Sequence, residues 1–226
     1  IEVFVRDNVK YVIPCTFAHL VTSFLKVFAS VTNEYKKYTP FTLVELERMW
    51  TFALTWSLGA LLDYEDRIKF NDFIHSQATA GNAGGSDSKD EEADNTVYDY
   101  LLDGEMQWTH WSEQVPDFEY QAATFKFSSS LVPTVNSTCT SYIIYLNERV
   151  GRPVLVTGGS GTAKTSNVLQ YAASEHFGEM ALKKVNFSFA TTANMVQTAV
   201  EASIVKSRGR TYAPDQGKTL TLFLDD

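Results

Sequence analysis

Apolar positions along this chain recur with two periods, and each period predicts a different element. From Pro14 onward, Phe17, Leu20, Phe24, Val27 and Val31 return at alternating three- and four-residue steps, which puts them on one face of a helix. After Pro40, Thr42 with Glu45 forms a capping box. The stretch from there to Leu62 (Leu46, Met49, Trp50, Ala53, Leu54, Trp56, Leu61) is apolar on more than one side and reads as a buried helix. Asp66 to His75 adds a short amphipathic helix or turn with Ile68, Phe70 and Phe73 inward. Residues 1–77 therefore read as a helical region.

The period then disappears. Residues 78–95 hold small residues, Gly81, Gly84 and Gly85, and the acidic run SDSKDEEAD, which reads as a flexible, solvated loop. Residues 96–125 follow as a connecting segment. In it Val97 to Leu102 and Met106 to Trp111 flank Asp103-Gly104, a pair suited to a two-residue hairpin turn. Trp108, His110 and Trp111 could stack on a ligand, but aromatics so placed pack a hairpin onto its neighbour. The last segment, 126–226, leads through Pro133 into a helix from about Ser137 to Glu148. It then alternates short apolar runs with helical stretches: Val154 to Val156, a helix from Thr165 to Phe177, a strand from Lys184 to Ala190, and a helix capped by Thr191 or Thr192 and running to about Ser207. Lys206, Arg208 and Arg210 around Gly209 read as a solvated loop. Tyr212 to Lys218 is turn-rich and delivers the final strand, Leu220 to Asp226. The order βαβαβ implies an α/β fold with a parallel sheet and a ligand at its carboxyl edge.

That edge carries the chemistry. Gly158, Gly159, Ser160, Gly161, Thr162, Ala163, Lys164 and Thr165 sit between a strand and a helix as a P-loop does. Glycines turn backbone N–H groups onto phosphate oxygens, Lys164 reaches the β and γ phosphates, and the Thr165 hydroxyl ligates magnesium. The helix N-terminus adds about half a positive charge. The glycine expected before the lysine is Ala163; helical φ/ψ suits alanine, so the change is read as one added methyl. An ordinary glycine turn is the alternative.

LTLFLDD at 220–226 favours the P-loop reading, because an apolar strand ending in two acids has the form of a Walker B element. Asp225 would hold the magnesium hydration shell, and Asp226 stands where a glutamate usually positions and deprotonates the attacking water. Aspartate is shorter by about 1.5 Å, and a misplacement of about 1 Å can cost on the order of 100-fold in rate. Nucleotide binding can survive a change that hydrolysis does not.

Composition removes competing classes. In 226 residues, 44% are hydrophobic and 20% charged, as in ordinary folded domains. A formal charge of −8 argues against nucleic-acid binding. Cys15 and Cys139 are too few and too far apart for a disulfide scaffold, and the four histidines lack ligand spacing, so magnesium with nucleotide is the only metal expected. No apolar run has bilayer length, so no membrane partner is expected. The sequence lacks an initiating methionine and stops on the acidic strand, so both ends read as cut from a longer chain. Asn136-Ser137-Thr138 and Asn186-Phe187-Ser188 match glycosylation acceptors and read as accidental.

The residues also resemble a family. LVPTVNST (131–138), PVLVTGGSGTAKT (153–165), KVNFSFATTANMVQTAVEAS (184–203) and TYAPDQGKTLTLFLDD (211–226) look like the third AAA+ module of an axonemal dynein heavy chain. GTAKT, the NFS-ATT strand end and the closing DD are most similar to outer-arm gamma-type chains. MWTFALTWSLGALLDYEDRIKF (49–70) resembles the helical lid end of the preceding second module, and VYDYLLDGEMQWTHW (97–111) the joining segment. The resemblance covers nearly the whole chain apart from the acidic loop.

It implies an AAA+ large-domain start preceded by a helical lid-like region, within a ring of six modules that moves on microtubules and bends cilia. Val132 and Pro133 would lie against adenine, Lys164 and Thr165 against phosphate and magnesium, and Asp225 at the metal. Neighbouring AAA+ modules, microtubules and other outer-arm chains are the implied partners, in the cytoplasm, cytoskeleton and axoneme. Sensor and arginine-finger residues would lie past Asp226, so these residues alone are not expected to form a competent ATPase. ATP or ADP with Mg2+ is then either a regulator of module packing or, alternatively, a permanently held structural cofactor.

Overall fold

The computed structural model describes residues 1–38, 40–78, 84, 95–118, 131–174, 180–214 and 218–226. They fall into two compact units, one holding residues 1–118 and Val132–Leu155, the other Leu131 and Val156–Asp226. Most of the expected acidic loop, the FKFSSS segment at 125–130 and residues 215–217 lie outside the described residues.

The first unit is helical, with α1 (Glu2–Asn8), α2 (Phe17–Glu34), α3 (Leu43–Ser57) and α4 (Tyr64–Gln77). Thr16 starts α2 by accepting the His19 N–H, and Leu20, Phe24, Val27 and Val31 are buried as the period requires. Phe17 departs from expectation, because it lies in the first turn and is exposed. The Thr42–Glu45 capping box forms in both directions at the head of α3, where Met49, Phe52, Ala53 and Leu54 are buried. Leu46 and Trp50 of α3 remain exposed, although Trp50 meets Phe24 edge-on at 4.5 Å.

In α4, Phe70 is 0% exposed and Ile74 is buried. Ile68 faces out, contrary to expectation. Asp66 takes an inward position instead: its carboxylate accepts the Lys10 N–H at 2.7 Å and pairs with Lys69 at 2.5 Å. Phe4 of α1 stacks on Phe73 at 4.1 Å.

The hairpin is present but its turn is not the one predicted. β1 (Tyr100–Leu102) and β2 (Trp108–His110) are antiparallel with Leu102 opposite Trp108, so five residues form the loop. The Asp103 side chain accepts the Glu105 and Gln107 N–H groups. Met106, at φ 59, takes the left-handed position that Asp103-Gly104 was expected to supply. Its buried side chain anchors that strain in the core.

Trp111 is buried, donates from Nε1 to the Tyr98 carbonyl at 3.1 Å and meets Trp56 edge-on, so these aromatics pack the hairpin. α5 (Val135–Arg149), capped by Thr134 with Ser137, adds Leu146 to the same core. The division expected at residue 126 put this helix with the P-loop segment. Cys15 and Cys139 are free thiols, and burial raises the Cys139 thiol.

The second unit contains α6 (Lys164–Ala172), β3 (Met180–Asn186), α7 (Ala193–Glu201), β4 (Val205–Arg208), β5 (Thr211–Ala213) and β6 (Thr219–Asp225). β3 and β6 are parallel and in register from Met180↔Thr219 to Asn186↔Asp225. Thr192 caps α7, but the helix ends at Glu201, six residues before the expected Ser207. The basic loop is instead an antiparallel hairpin of β4 and β5 turning at Gly209, whose φ is +60. α6 ends at Ala172 rather than Phe177, and β3 ends at Asn186 rather than Ala190. Residues 154–156 form no strand, and Leu155 is 72% exposed. A strand is a paired structure, and no strand among the described residues pairs with this run. No helix among the described residues is long and apolar enough to cross a membrane.

Candidate nucleotide site

Two ends of the second unit meet at the glycine loop. Lys164 opens α6, so its N-terminal N–H groups face the loop. Gly161 has φ +76, a conformation that glycine alone adopts without penalty. A Cβ on Gly158 would stand 2.8 Å from Thr162 Oγ1, so a side chain there would fill the cradle. Thr162 Oγ1 donates to the Gly159 carbonyl at 2.9 Å. The Lys164 ammonium folds back over the loop, donating to the carbonyls of Gly158 at 3.0 Å and Gly159 at 2.6 Å. It thus lies along the inner edge of the loop, the position from which an ammonium meets phosphate oxygens.

Ala163 corrects the sequence reading. Its φ of 58 and ψ of 21 are left-handed rather than helical, because the chain reverses from the loop into α6 at this residue. The added methyl therefore strains the backbone, by about 1–2 kcal/mol for a residue with a Cβ.

The Thr165 hydroxyl donates to Asp225 Oδ1 at 2.8 Å. The two residues come from the start of α6 and the end of β6, and the parallel register that carries Asp225 level with Asn186 delivers the carboxylate to the loop. The other carboxylate oxygen, Oδ2, pairs with the Lys184 ammonium at 2.7 Å. Lys184, then Thr165, holds the Asp225 carboxyl below its ordinary range. The donor set fits magnesium: two hard oxygens stand 2.8 Å apart, close to the about 2.9 Å between neighbouring ligands around an octahedral Mg2+ with bonds of about 2.0–2.1 Å. Among the described residues no group of three or more His, Cys, Asp or Glu side chains could hold a metal.

Asp226 follows β6 and is exposed. Val132 and Pro133 belong to the helical unit, where Val132 is exposed. Lys184 was not singled out from the sequence. KVNFSFA shows it on the same strand face as Asn186, and only the pairing of β3 with β6 discloses what that face meets.

Two family models match. The dynein heavy chain AAA lid domain covers residues 2–113 and the P-loop containing dynein motor region covers residues 118–226. Similar proteins include the dynein gamma chain of the flagellar outer arm from Chlamydomonas reinhardtii, 28% identical over 99% of this chain. Dynein axonemal heavy chain 5 from Rattus norvegicus is 33% identical over 80% of it, and dynein axonemal heavy chain 10 from Homo sapiens 32% over 97%. The chain spans 5% of the length of each of these relatives.

Proposed function

The chain belongs to the dynein heavy chains, as an AAA lid domain followed by a P-loop motor region, and from that premise we propose that its glycine loop is a regulatory nucleotide site. In this reading the site takes ATP or ADP with Mg2+ in the third AAA+ module of an axonemal motor ring, and residues 1–77 close the second. The module boundaries are those expected from the sequence. The outer-arm relative supports placement in an outer dynein arm of a cilium or flagellum. Neighbouring AAA+ modules, other outer-arm chains and, through the whole motor, microtubules are the partners.

One observation carries the reading. Thr165 and Asp225, 60 residues apart, are brought to 2.8 Å beside the glycine loop, while the strand closes on Asp226 instead of glutamate. The loop N–H groups and Lys164 bind phosphate, and Thr165 and Asp225 hold the divalent cation. Bound magnesium supplies charge neutralisation on the phosphates. Asp226 reaches about 1.5 Å less far than glutamate, so water is poorly positioned and the site is better suited to holding nucleotide than to turning it over. Regulation then requires that nucleotide bind two states of the ring with different affinity.

The test is exchange of a labelled ATP analogue in the full-length heavy chain, with Lys164→Ala defining the fraction bound at this site. A Lys164-dependent fraction that exchanges on the timescale of motor stepping is the expected result. Nucleotide retained through many motor cycles would make the module a permanently filled structural element and end the regulatory reading.

A further inference from the structure

Lys184 lies on the sheet face that carries Asp225 for a geometric reason. Strands β3 and β6 are parallel and in register, so Lys184, Asn186, Phe223 and Asp225 share one face. Phe223 stands opposite Lys184, and the lysine stem runs across its ring with Nζ 5.6 Å from the centroid. The head continues one diagonal step further to Asp225 Oδ2 at 2.7 Å, a span that long side chains cover between diagonal neighbours. Packing on the ring restricts the stem, so the ammonium is delivered to one place. Asp225 then has both oxygens engaged: Oδ1 by the Thr165 hydroxyl and Oδ2 by Lys184. The side chains of the pair are 35% and 20% exposed, so the contact is open to competition.

We propose that Lys184 is a tethered cation that neutralises the Asp225 carboxylate from Oδ2 and so opposes magnesium at Oδ1, setting the magnesium requirement of nucleotide binding at this site. The inference rests on the nucleotide-site reading above. A lysine ammonium on Oδ2 and a hydrated divalent cation at Oδ1 draw on the charge of one carboxylate, and two cations so close repel each other. Without magnesium, Lys184 cancels the Asp225 charge that would repel the phosphates, so some affinity for metal-free nucleotide is retained. With magnesium, the ion pair is a cost the metal has to overcome. Removing the ammonium should therefore steepen the dependence on magnesium from both ends.

The experiment measures equilibrium binding of a fluorescent ADP analogue to the full-length chain against free magnesium, taking the Lys164-dependent part of the signal. Lys184→Met, which keeps the stem over Phe223, should lower the half-saturating magnesium concentration about two- to fivefold, the range that a partly exposed ion pair supports. The same variant should bind the analogue more weakly in chelator. Lys184→Gln should behave alike, and gives a second reading should the methionine variant fail to fold, while Lys184→Arg should keep the wild-type requirement. Half-saturation that is unchanged or raised, with Lys164-dependent binding intact, would overturn the role of Lys184 alone. Absence of any Lys164-dependent binding in the wild type would overturn the nucleotide site and this inference with it.

Discussion

The two units handle polar and apolar side chains in opposite ways. The helical unit buries Leu20, Phe24, Val27, Val31, Met49, Leu54 and Phe70 of the positions its helical periods mark, and its aromatics pair edge-on around Trp56, Trp111 and Tyr142. In the P-loop unit Tyr171, 2% exposed, is the one buried hydrophobic side chain among the described residues, while Phe189, Met195, Leu222 and Leu224 are exposed. Each unit nevertheless holds a carboxylate against a lysine. Asp66 pairs with Lys69 one turn along its own helix and with the Lys10 backbone, a tie between segments. Asp225 pairs with Lys184 and the Thr165 hydroxyl, both side chains that a cation can displace. The same pair of residue types is structural where it ties segments of one helical core, and chemical where it borders a glycine loop.

The largest effect should come from breaking the helical core. Phe70→Ala removes a fully buried ring at an expected cost of about 3–5 kcal/mol. Hydrogen exchange in the full-length chain should show this as faster exchange of the α3 and α4 amides. Amides of β3 and β6 should keep their protection; equal loss there would mean that the units share one cooperative core and that the contrast between them is false.

Next in size is Lys164→Ala, which removes a charged donor while leaving every core contact of the helical unit in place. Nucleotide affinity at the site should fall on the order of 10- to 100-fold, as expected for losing a charge-assisted hydrogen bond of about 1.5–3 kcal/mol. Exchange protection of α2 to α5 should be unchanged, and a titration of the fluorescent ADP analogue checks the affinity.

What the sequence disclosed follows the same division. Local signals were legible in both units: the Thr42–Glu45 box formed as read, Leu20, Phe24, Val27 and Val31 of the three–four spacing are buried, the glycine loop leads into α6, and the acidic pair lies at the end of β6. Features that depend on pairing were not. Lys184 meets Asp225 only because β3 and β6 run in register. Val154 to Val156 have no strand partner among the described residues and so do not form the strand their composition suggests. The hairpin loop widened because Met106 is anchored in the core, which outweighed the turn preference of Asp103-Gly104. Ala163 was misread because the loop reverses there, and a single residue type does not announce its own φ.

Ala163→Gly makes that last point measurable. Relief of a left-handed alanine returns about 1–2 kcal/mol, and glycine's looser unfolded chain takes back about 0.4–1 kcal/mol. The net is a gain of about 0 to 1.6 kcal/mol. Amides at the start of α6 should exchange several-fold more slowly than in the wild type. Faster exchange would mean that the methyl itself supports the loop and that the left-handed backbone carries no strain.

The smallest expected effect separates the two lysine-held carboxylates by pH. In the helical unit the Lys69 ammonium, then the Lys10 N–H, holds Asp66 below its ordinary range. A carboxyl lowered in the folded state contributes stability that is fully present above the unfolded value of about 3.9. That contribution is lost as pH falls through the folded value, because the folded form then has to take up the proton it resisted. Asp66→Asn should therefore lower protection of the α1 and α4 amides near neutrality and flatten their loss of protection between about pH 5 and pH 2. Magnesium and nucleotide should leave that acid limb unchanged, since neither partner of Asp66 belongs to the glycine loop. An acid limb in α4 that shifts when nucleotide binds would show that the tie at Asp66 senses the site, and the line between a structural and a chemical lysine–carboxylate pair would have to be redrawn.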